Sequence, residues 1–127
     1  MDTDVRKVGE GSAEKMREIR QFKTTIDGYA ITAYKTRIHN ANILEVEAGT
    51  TGYCGGDSGH GGRTYFEIMN TASTDLRVKT DADDWDDASR VKVTVGGDAE
   101  LTTMIEALEF ILQVLKDGAE ETIARQG

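Results

Sequence analysis

The residue types best suited to ligand chemistry lie in one glycine-dense segment, GTTGYCGGDSGHGG, at residues 49–62. It holds seven of the chain's 14 glycines. Glycine loses more backbone freedom on folding than any other residue, so this density indicates tight turns or a close approach of backbone to a ligand. Because consecutive amide N–H groups can form a nest for an anion, we predict a phosphate-binding loop. The alternative interpretation is a flexible surface loop.

Side chains in and near this segment suit a nucleotide. The guanidinium of Arg63 has the planar fork that pairs with phosphate. Tyr53, with Tyr65 or Phe66, would stack on a base, and Asp57 would accept hydrogen bonds from ribose hydroxyls. The predicted ligand-binding residues, which include a tryptophan that would cover the site, are Thr50, Thr51, Tyr53, Gly55, Gly56, Asp57, Ser58, His60, Arg63, Phe66 and Trp85.

Catalytic and metal-binding interpretations of the same segment are weaker. The motif GDSG at 56–59 resembles the nucleophile segment of chymotrypsin-like proteases, but His60 follows where that family has glycine, and 127 residues cannot form two barrels. The nearby His60 is too close in sequence to serve Ser58 as a base. Cys54, Asp57 and His60 lack the further ligands of a tetrahedral metal site. We therefore expect no catalytic residue, no metal and no cofactor.

A second notable segment, DADDWDD at 81–87, places five aspartates around the only tryptophan. Its spacing does not match a calcium loop, which needs glycine at the sixth position and glutamate at the twelfth. One interpretation is a solvated acidic connection. Another is that Trp85 is anchored in a pocket or an interface. An acidic inhibitor, which mimics nucleic acid and binds a basic host protein directly, is therefore our second functional hypothesis.

Composition limits the class of protein. A length of 127 residues fits a single domain over 1–127. The net charge of −8 disfavours binding to duplex nucleic acid. No apolar run approaches the roughly 18 residues that would indicate a membrane span. The single cysteine, Cys54, cannot form an internal disulfide, and the first residues do not resemble a secretion signal, so we expect a cytoplasmic protein.

Hydrophobic periodicity predicts an α+β fold with a mostly antiparallel sheet of about six strands. A short helix is predicted over 12–22, followed by a hairpin over 24–38 whose tip is Asp27-Gly28. The glutamates of 43–48 alternate with apolar residues, so we expect them to face solvent. Further strands are predicted in the segments 63–69, 76–79 and 91–95.

A long C-terminal helix is predicted to begin at Asp98, after two glycines, and to end near Gly118. Its apolar positions 101, 104, 108, 111 and 115 alternate steps of three and four. Such a stripe is wide enough to cover a sheet face or to pack against another copy of the chain. Covering the chain's own sheet is the simpler expectation.

The segment from Thr25 to Phe66, which contains GTTGYCGGDSGHGGRT, resembles small phage proteins of the Thoeris anti-defence type 1 family. The resemblance extends to the chain's size and to the predicted order of helix, sheet and helix. It implies a non-enzymatic sponge that sequesters cyclic nucleotide immune signals, notably cyclic ADP-ribose isomers and, in some members, cyclic oligonucleotides. It also implies a homo-oligomer with ligand held between protomers. No individual binding residue is carried over from the family.

Overall fold

The fold is α+β, with an antiparallel sheet, a small second sheet and one C-terminal helix. The computed structural model describes residues 4–8, 17–81 and 84–126, with side chains for 17–81 and 84–120. The elements in chain order are β1 Asp4–Val8, β2 Arg17–Ile26, β3 Tyr29–His39, β4 Ile43–Thr50, β5 Arg63–Ala72, β6 Arg77–Val78, β7 Asp86–Asp87, β8 Arg90–Gly96 and α1 Asp98–Gln126.

Five strands, β2 to β5 and β8, form the centre of the sheet, and β1 adds a sixth strand at one edge. Every neighbouring pair is antiparallel. The predicted hairpin is confirmed, because β2 and β3 are joined by Asp27 (φ 51°) and Gly28 (φ 82°), the two left-handed residues of a type I′ turn. The segment 76–79 was predicted as a strand of the main sheet, but β6 instead pairs with β7 in the second sheet.

The N-terminal helix predicted over 12–22 is wrong where it can be checked. Residues 12–16 lie outside the described residues, and 17–22 belong to β2, which pairs with both β1 and β3. The apolar residues Ile19 and Phe22 suggested a helical period, but a strand with neighbours on both sides gains hydrogen bonds along its whole length. Tertiary pairing therefore overrides the local pattern.

The two faces of the sheet differ in charge. Every charged residue of β3, β4, β5 and β8 lies on one face, here called the charged face: Lys35, Arg37, Glu45, Glu47, Arg63, Glu67, Arg90 and Lys92. The opposite face of these four strands, here called the apolar face, carries no charge. Its non-polar side chains are Tyr34, Ile38, Leu44, Val46, Ala48, Phe66, Ile68, Val91, Val93 and Val95.

The expectation that the glutamates of β4 face solvent is wrong. Glu47 lies opposite Glu67, and the Glu67 residue is only 7% exposed. Lys35 and Arg90 compensate these charges, at 3.5 Å from Glu47 and 2.8 Å from Glu67 respectively. The hydroxyl of Tyr65 donates to Glu47 at 2.5 Å. Burial, together with Glu47, raises the pKa of Tyr65, so the phenol stays protonated.

The small core of the sheet lies on this same charged face. Ile31, Ala33 and Tyr65 are 2% exposed or less, and Phe22 and Ile26 pack against them. Gly49 lies between Ala33 and Tyr65 in the register, where it leaves room for both side chains. The packing of this core therefore requires glycine at position 49 of β4.

The helix α1 begins at Asp98 as predicted, but it continues past Gly118 to Gln126. With 29 residues it is about 43 Å long. Only its first turn packs, since Leu101 is 7% exposed while every side chain from 105 to 120 is exposed. The expectation that the helix covers its own sheet is therefore wrong.

We predict that Gly49→Ala destabilises the fold by about 1–3 kcal/mol, the usual effect of forcing atoms into a packed core. A Cβ atom at Gly49 would lie 2.7 Å from Ile31 Cγ2 and 3.0 Å from Ala33 Cβ. The matched control is Gly118→Ala, where a Cβ meets nothing within 4 Å, and the helix should gain up to about 1 kcal/mol. Urea denaturation followed by circular dichroism measures both. Equal effects of the two substitutions would contradict the packing argument.

Candidate functional site

The glycine loop, defined as residues 51–62, connects β4 to β5 at one end of the sheet. Its two ends are tied together, since the Thr51 amide donates to Arg63 O at 3.0 Å and the Arg63 amide donates to Thr51 Oγ1 at 3.0 Å. The hydroxyls of Thr50 and Thr64 share a further hydrogen bond of 2.7 Å. The two ends of the loop are therefore held together where it leaves the sheet.

The carboxylate of Asp98, the first residue of α1, occupies the centre of the loop. Its Oδ1 accepts from the amides of Cys54 at 2.9 Å and Gly62 at 3.2 Å, and its Oδ2 accepts from the Gly55 amide at 2.6 Å. These amides, Cys54 first and Gly55 next, lower the pKa of Asp98. Part of the predicted anion nest is thus filled by the chain's own carboxylate.

Two further carboxylates join the loop to the helix in a reciprocal way. Glu100 accepts from the amide and from the hydroxyl of Ser58, each at 3.0 Å, and the amide bond is the main cause of its lowered pKa. In the other direction, Asp57 Oδ1 accepts from the Ala99 amide at 2.7 Å. Amides in the first turn of a helix have no intrahelical partner, so Asp57 satisfies one of them from the loop.

The guanidinium of Arg63 holds the other side of the loop. Its Nε donates to Asp27 at 2.9 Å, its Nη1 to the carbonyls of Gly61 and Gly62 at 3.4 and 3.0 Å, and its Nη2 to Gly59 O at 3.1 Å. It also lies 4.5 Å from the centre of the Tyr29 ring. The side chain is only 12% exposed. Arg63 was predicted to bind phosphate, but its fork mainly ties the loop to the hairpin turn.

Close packing inside the loop explains two of its glycines. A Cβ atom on Gly61 would collide with the carbonyl oxygen of Gly56, and one on Gly62 would collide with Thr51 Oγ1. Gly61 also has a φ of 86°, which disfavours other residues. The glycine density therefore reflects backbone packed on backbone, and the loop has a defined conformation.

Some groups in the loop remain available to a ligand. The amide N–H groups of Gly56 and Asp57 have no hydrogen-bond partner among the residues that the structure describes. The ring of Tyr53 is exposed, with the residue 62% accessible, and its hydroxyl shares a 2.8 Å hydrogen bond with Thr102 in the first turn of α1. The residue His60 is also exposed. Two consecutive amides suit a phosphate, and an exposed aromatic ring suits a base.

The structure does not bring all the predicted residues together. Those from Thr50 to Arg63 lie in or next to the loop, but Phe66 lies on the apolar face opposite Val93. Tyr65, the alternative stacking residue, is 2% exposed and therefore inaccessible.

Trp85 lies at the opposite end of the sheet, beside β6 and β7. Asn42 in the β3–β4 turn donates to Ser73 O at 2.6 Å. The segment that begins at Ser73 and contains Trp85 therefore starts beyond the end of β5 that is far from the glycine loop. The ten residues of β5 span roughly 30 Å, so Trp85 cannot cover the glycine loop of its own chain.

Trp85 has surroundings of its own. It is 61% exposed, and Lys79 Nζ lies 5.6 Å from its ring centre. A cavity of about 220 Å³ is lined by Asp75, Arg77 and Trp85. The tryptophan thus belongs to a second, shallow site.

Sequence reasoning missed the residues that hold the loop, which are Asp27, Asp98, Glu100 and Thr102. Acidic residues in the first turn are a common feature of helix starts, and Asp98 and Glu100 were visible as such in the sequence. What the sequence did not show is that their carboxylates accept hydrogen bonds from loop residues that are 36 to 44 positions away.

Other features of the chain add no second chemistry. Over the described ranges, no group of three or more histidine, cysteine, aspartate or glutamate side chains is arranged to hold a metal ion. No helix in the described part of the chain has the length and apolarity to cross a membrane. Comparisons with protein-family models, with curated proteins and with solved structures found no match.

We predict that the contribution of Asp98 to stability depends on pH. Its pKa is lowered in the folded chain, so its stabilising effect is present above the unfolded pKa and is lost as pH falls through the folded value. Asp98→Asn should therefore destabilise the loop at pH 7 but have little effect well below about pH 4. Amide hydrogen exchange of Cys54, Gly55 and Gly62 at several pH values measures this.

The control for this experiment is Asp117→Asn, at an exposed helix position whose carboxylate accepts from Gln113 and from no loop residue among those described. It should leave exchange in the loop unchanged at every pH. A constant difference between wild type and Asp98→Asn across the pH range would show that the amide contacts do not depend on the charge.

Proposed function

We propose that this protein is a non-enzymatic binding protein that sequesters a small cyclic nucleotide, with the glycine loop as its binding element. The observation that carries the proposal is that Asp98, Glu100, Asp57 and Arg63 hold the loop in one conformation while the Gly56 and Asp57 amides and the Tyr53 ring stay uncommitted. Such pre-organisation increases affinity, because little ordering remains to be done when a ligand binds.

Backbone amides of the loop and the ring of Tyr53 would hold the ligand. A phosphate oxygen would accept hydrogen bonds from the consecutive amides of Gly56 and Asp57, and a base would stack on Tyr53. Nearby carboxylates oppose an anion, and the amides and the hydroxyl that donate to Asp98 and Glu100 occupy their oxygens without cancelling their charge. The N-terminus of α1, which points at the loop, favours negative charge there.

Sequestration also requires that the bound ligand is not converted. The only hydroxyl–carboxylate pair in the loop is Ser58 with Glu100 at 3.0 Å. Glu100 has a lowered pKa and also accepts from the Ser58 amide, so it is a weak general base and is held for a structural role. This supports binding without turnover.

The biological role that we propose follows the Thoeris anti-defence type 1 resemblance. A phage protein of this kind would act in the cytoplasm of the infected host and remove cyclic ADP-ribose isomers, or cyclic oligonucleotides, before an immune effector detects them. We also propose that the chain works as a homo-oligomer. Support comes from the apolar side chains of α1 that its own sheet leaves exposed.

We predict that Tyr53→Ala reduces affinity for the cyclic nucleotide at least about fivefold, because stacking on an aromatic ring contributes about 1–3 kcal/mol per base. Calorimetry against a panel of cyclic ADP-ribose isomers and cyclic oligonucleotides measures the affinity, and chromatography of the recovered ligand shows whether it is intact. Tyr53→Phe keeps the ring, so it should bind nearly as tightly as wild type.

Trp85→Ala is the matched control, since Trp85 is equally exposed but lies at the other end of the sheet. It should leave affinity unchanged. Wild-type protein that binds no member of the panel, or that returns a converted ligand, would refute sequestration. Full affinity in Tyr53→Ala would move the binding site away from the loop.

A second candidate function rests on the exposed Trp85 and its cavity. In the sequence from 75 to 87, six aspartates (75, 81, 83, 84, 86 and 87) outnumber the two cations Arg77 and Lys79. An exposed indole within an acidic rim suits the lysines and arginines of a protein partner, which it would contact through cation–π interactions. The chain would then inhibit a basic host protein directly.

We predict that reversing the charges of Asp84, Asp86 and Asp87 to lysine separates the two functions. A sponge should keep its ligand affinity within about twofold, since these residues are at the far end of the sheet from the loop. An acidic inhibitor should lose its host target. The comparison needs calorimetry for the ligand and an infection assay for protection of the phage. Loss of protection with intact ligand binding would favour the second function.

A further inference from the structure

The glycine loop presents four consecutive backbone amides, those of residues 55–58. The first donates to Asp98 Oδ2 at 2.6 Å, and the fourth donates to Glu100 Oε1 at 3.0 Å. The second and third, at Gly56 and Asp57, have no hydrogen-bond partner among the residues that the structure describes. A phosphate bound to this inner pair of amides would therefore have a carboxylate of the chain on either side.

A third carboxylate belongs to the inner pair itself. The side chain of Asp57 reaches the first turn of α1, where its Oδ1 accepts from the Ala99 amide at 2.7 Å. Because consecutive residues are about 3.8 Å apart, all three carboxylates lie within roughly 8 Å of a phosphate at this pair. The hydrogen bonds that Asp98 and Glu100 accept lower the pKa of each, so both stay ionised at neutral pH.

The loop and the first turns of α1 supply no cation to offset these charges. The sequence contains no lysine or arginine from 38 to 62 or from 93 to 115. Arg63 follows the loop directly, but every nitrogen of its guanidinium donates within the chain, and Asp27 compensates its charge at 2.9 Å. The dipole of α1 adds roughly half a positive charge, which does not balance three carboxylates. Neutral donors in a negative field must therefore hold the anion.

We propose that the glycine loop selects phosphate groups that carry a single negative charge and rejects terminal phosphate groups, with the Asp57 carboxylate as one determinant of this specificity. Phosphates in a diester or within a pyrophosphate carry one charge, whereas a terminal phosphate carries nearly two at neutral pH. The inference rests on the proposed function and narrows the ligand class of that site. The loop would distinguish a closed cyclic oligonucleotide from an opened one that ends in a phosphate.

Coulomb's law sets the size of the effect. With the dielectric constant of water, one carboxylate within roughly 8 Å disfavours an additional negative charge by a factor of about two to three. Three carboxylates together disfavour the terminal phosphate on the order of tenfold. Dilute salt leaves this repulsion largely unscreened, whereas about 1 M salt reduces the Debye length to about 3 Å and removes most of it.

Adenosine 5′-monophosphate and its methyl ester test the charge directly, because they share base and ribose and differ by nearly one charge at neutral pH. A titration of the isotope-labelled full chain in dilute salt, followed by NMR at the Gly56 and Asp57 amides, gives both dissociation constants. The methyl ester should bind on the order of tenfold more tightly. This ratio should approach one in about 1 M salt. Equal affinities in dilute salt, tighter binding of the monophosphate, or a methyl ester that shifts neither amide would overturn the proposal.

Asp57→Asn tests the residue. The substitution keeps an Oδ1 that can accept from the Ala99 amide, but it removes one of the three charges. The ratio of the two dissociation constants should fall by a factor of about two to three. Asp117→Asn, at an exposed helix position outside the loop, should leave the ratio as in wild type. An unchanged ratio in Asp57→Asn would contradict the role of its carboxylate.

Failure of this inference and failure of the proposed function give different results. Wild type that binds no cyclic nucleotide in calorimetry would refute sequestration, and the selectivity that rests on it. Wild type that binds a cyclic nucleotide, but binds the monophosphate as tightly as its methyl ester, would refute the charge selectivity alone. The comparison of the two probes in wild type needs no variant, so it decides the matter even if Asp57→Asn fails to fold.

Discussion

The hydrogen bonds between the first turn of α1 and the glycine loop are the interaction on which the rest of this structure depends. Asp98 alone satisfies three loop amides, and Glu100 and Asp57 add contacts in both directions. Without these carboxylates, a segment with seven glycines would have many accessible conformations and a large entropy cost of ordering. With them, the loop is ordered and the direction of α1 relative to the loop is fixed. One set of contacts therefore determines both the shape of the candidate site and the direction in which α1 leaves it.

The segregation of charge in the sheet has a related consequence. Every charged side chain of the four strands β3, β4, β5 and β8 lies on one face, where Glu47 and Glu67 are compensated by Lys35 and Arg90. Buried charges are tolerated only when they are paired, so Glu47 and Glu67 require their cationic partners on the charged face. The opposite face has no such constraint. An acidic protein thereby retains one face of these four strands without charge.

Local patterns in the sequence were sufficient for much of the fold. The Asp27-Gly28 turn, the strands on either side of it and the start of α1 were predicted because their signals are contained within a few residues. The helix predicted over 12–22 failed where residues 17–22 pair with β1 and β3, which is a long-range interaction. The end of the helix at Gly118 failed because one glycine costs only about 1 kcal/mol in a helix. The predicted position of α1 on its own sheet failed because the loop contacts that aim the helix elsewhere join residues far apart in sequence.

The same difference between local and long-range signals applies to the candidate site. The high density of glycine identified the loop, since the local sequence indicates which backbone positions require glycine. The roles of individual side chains depend on partners that are distant in sequence. Arg63 has the chemistry of a phosphate ligand, but its partners are Asp27 and three loop carbonyls, so most of its hydrogen-bonding capacity is used before any ligand binds. The groups of the loop that its internal contacts leave accessible include backbone amides and the exposed ring of Tyr53, whose hydroxyl alone is bound to Thr102. Recognition through the backbone tolerates changes in most side chains of the loop, but not changes in the carboxylates that hold its shape.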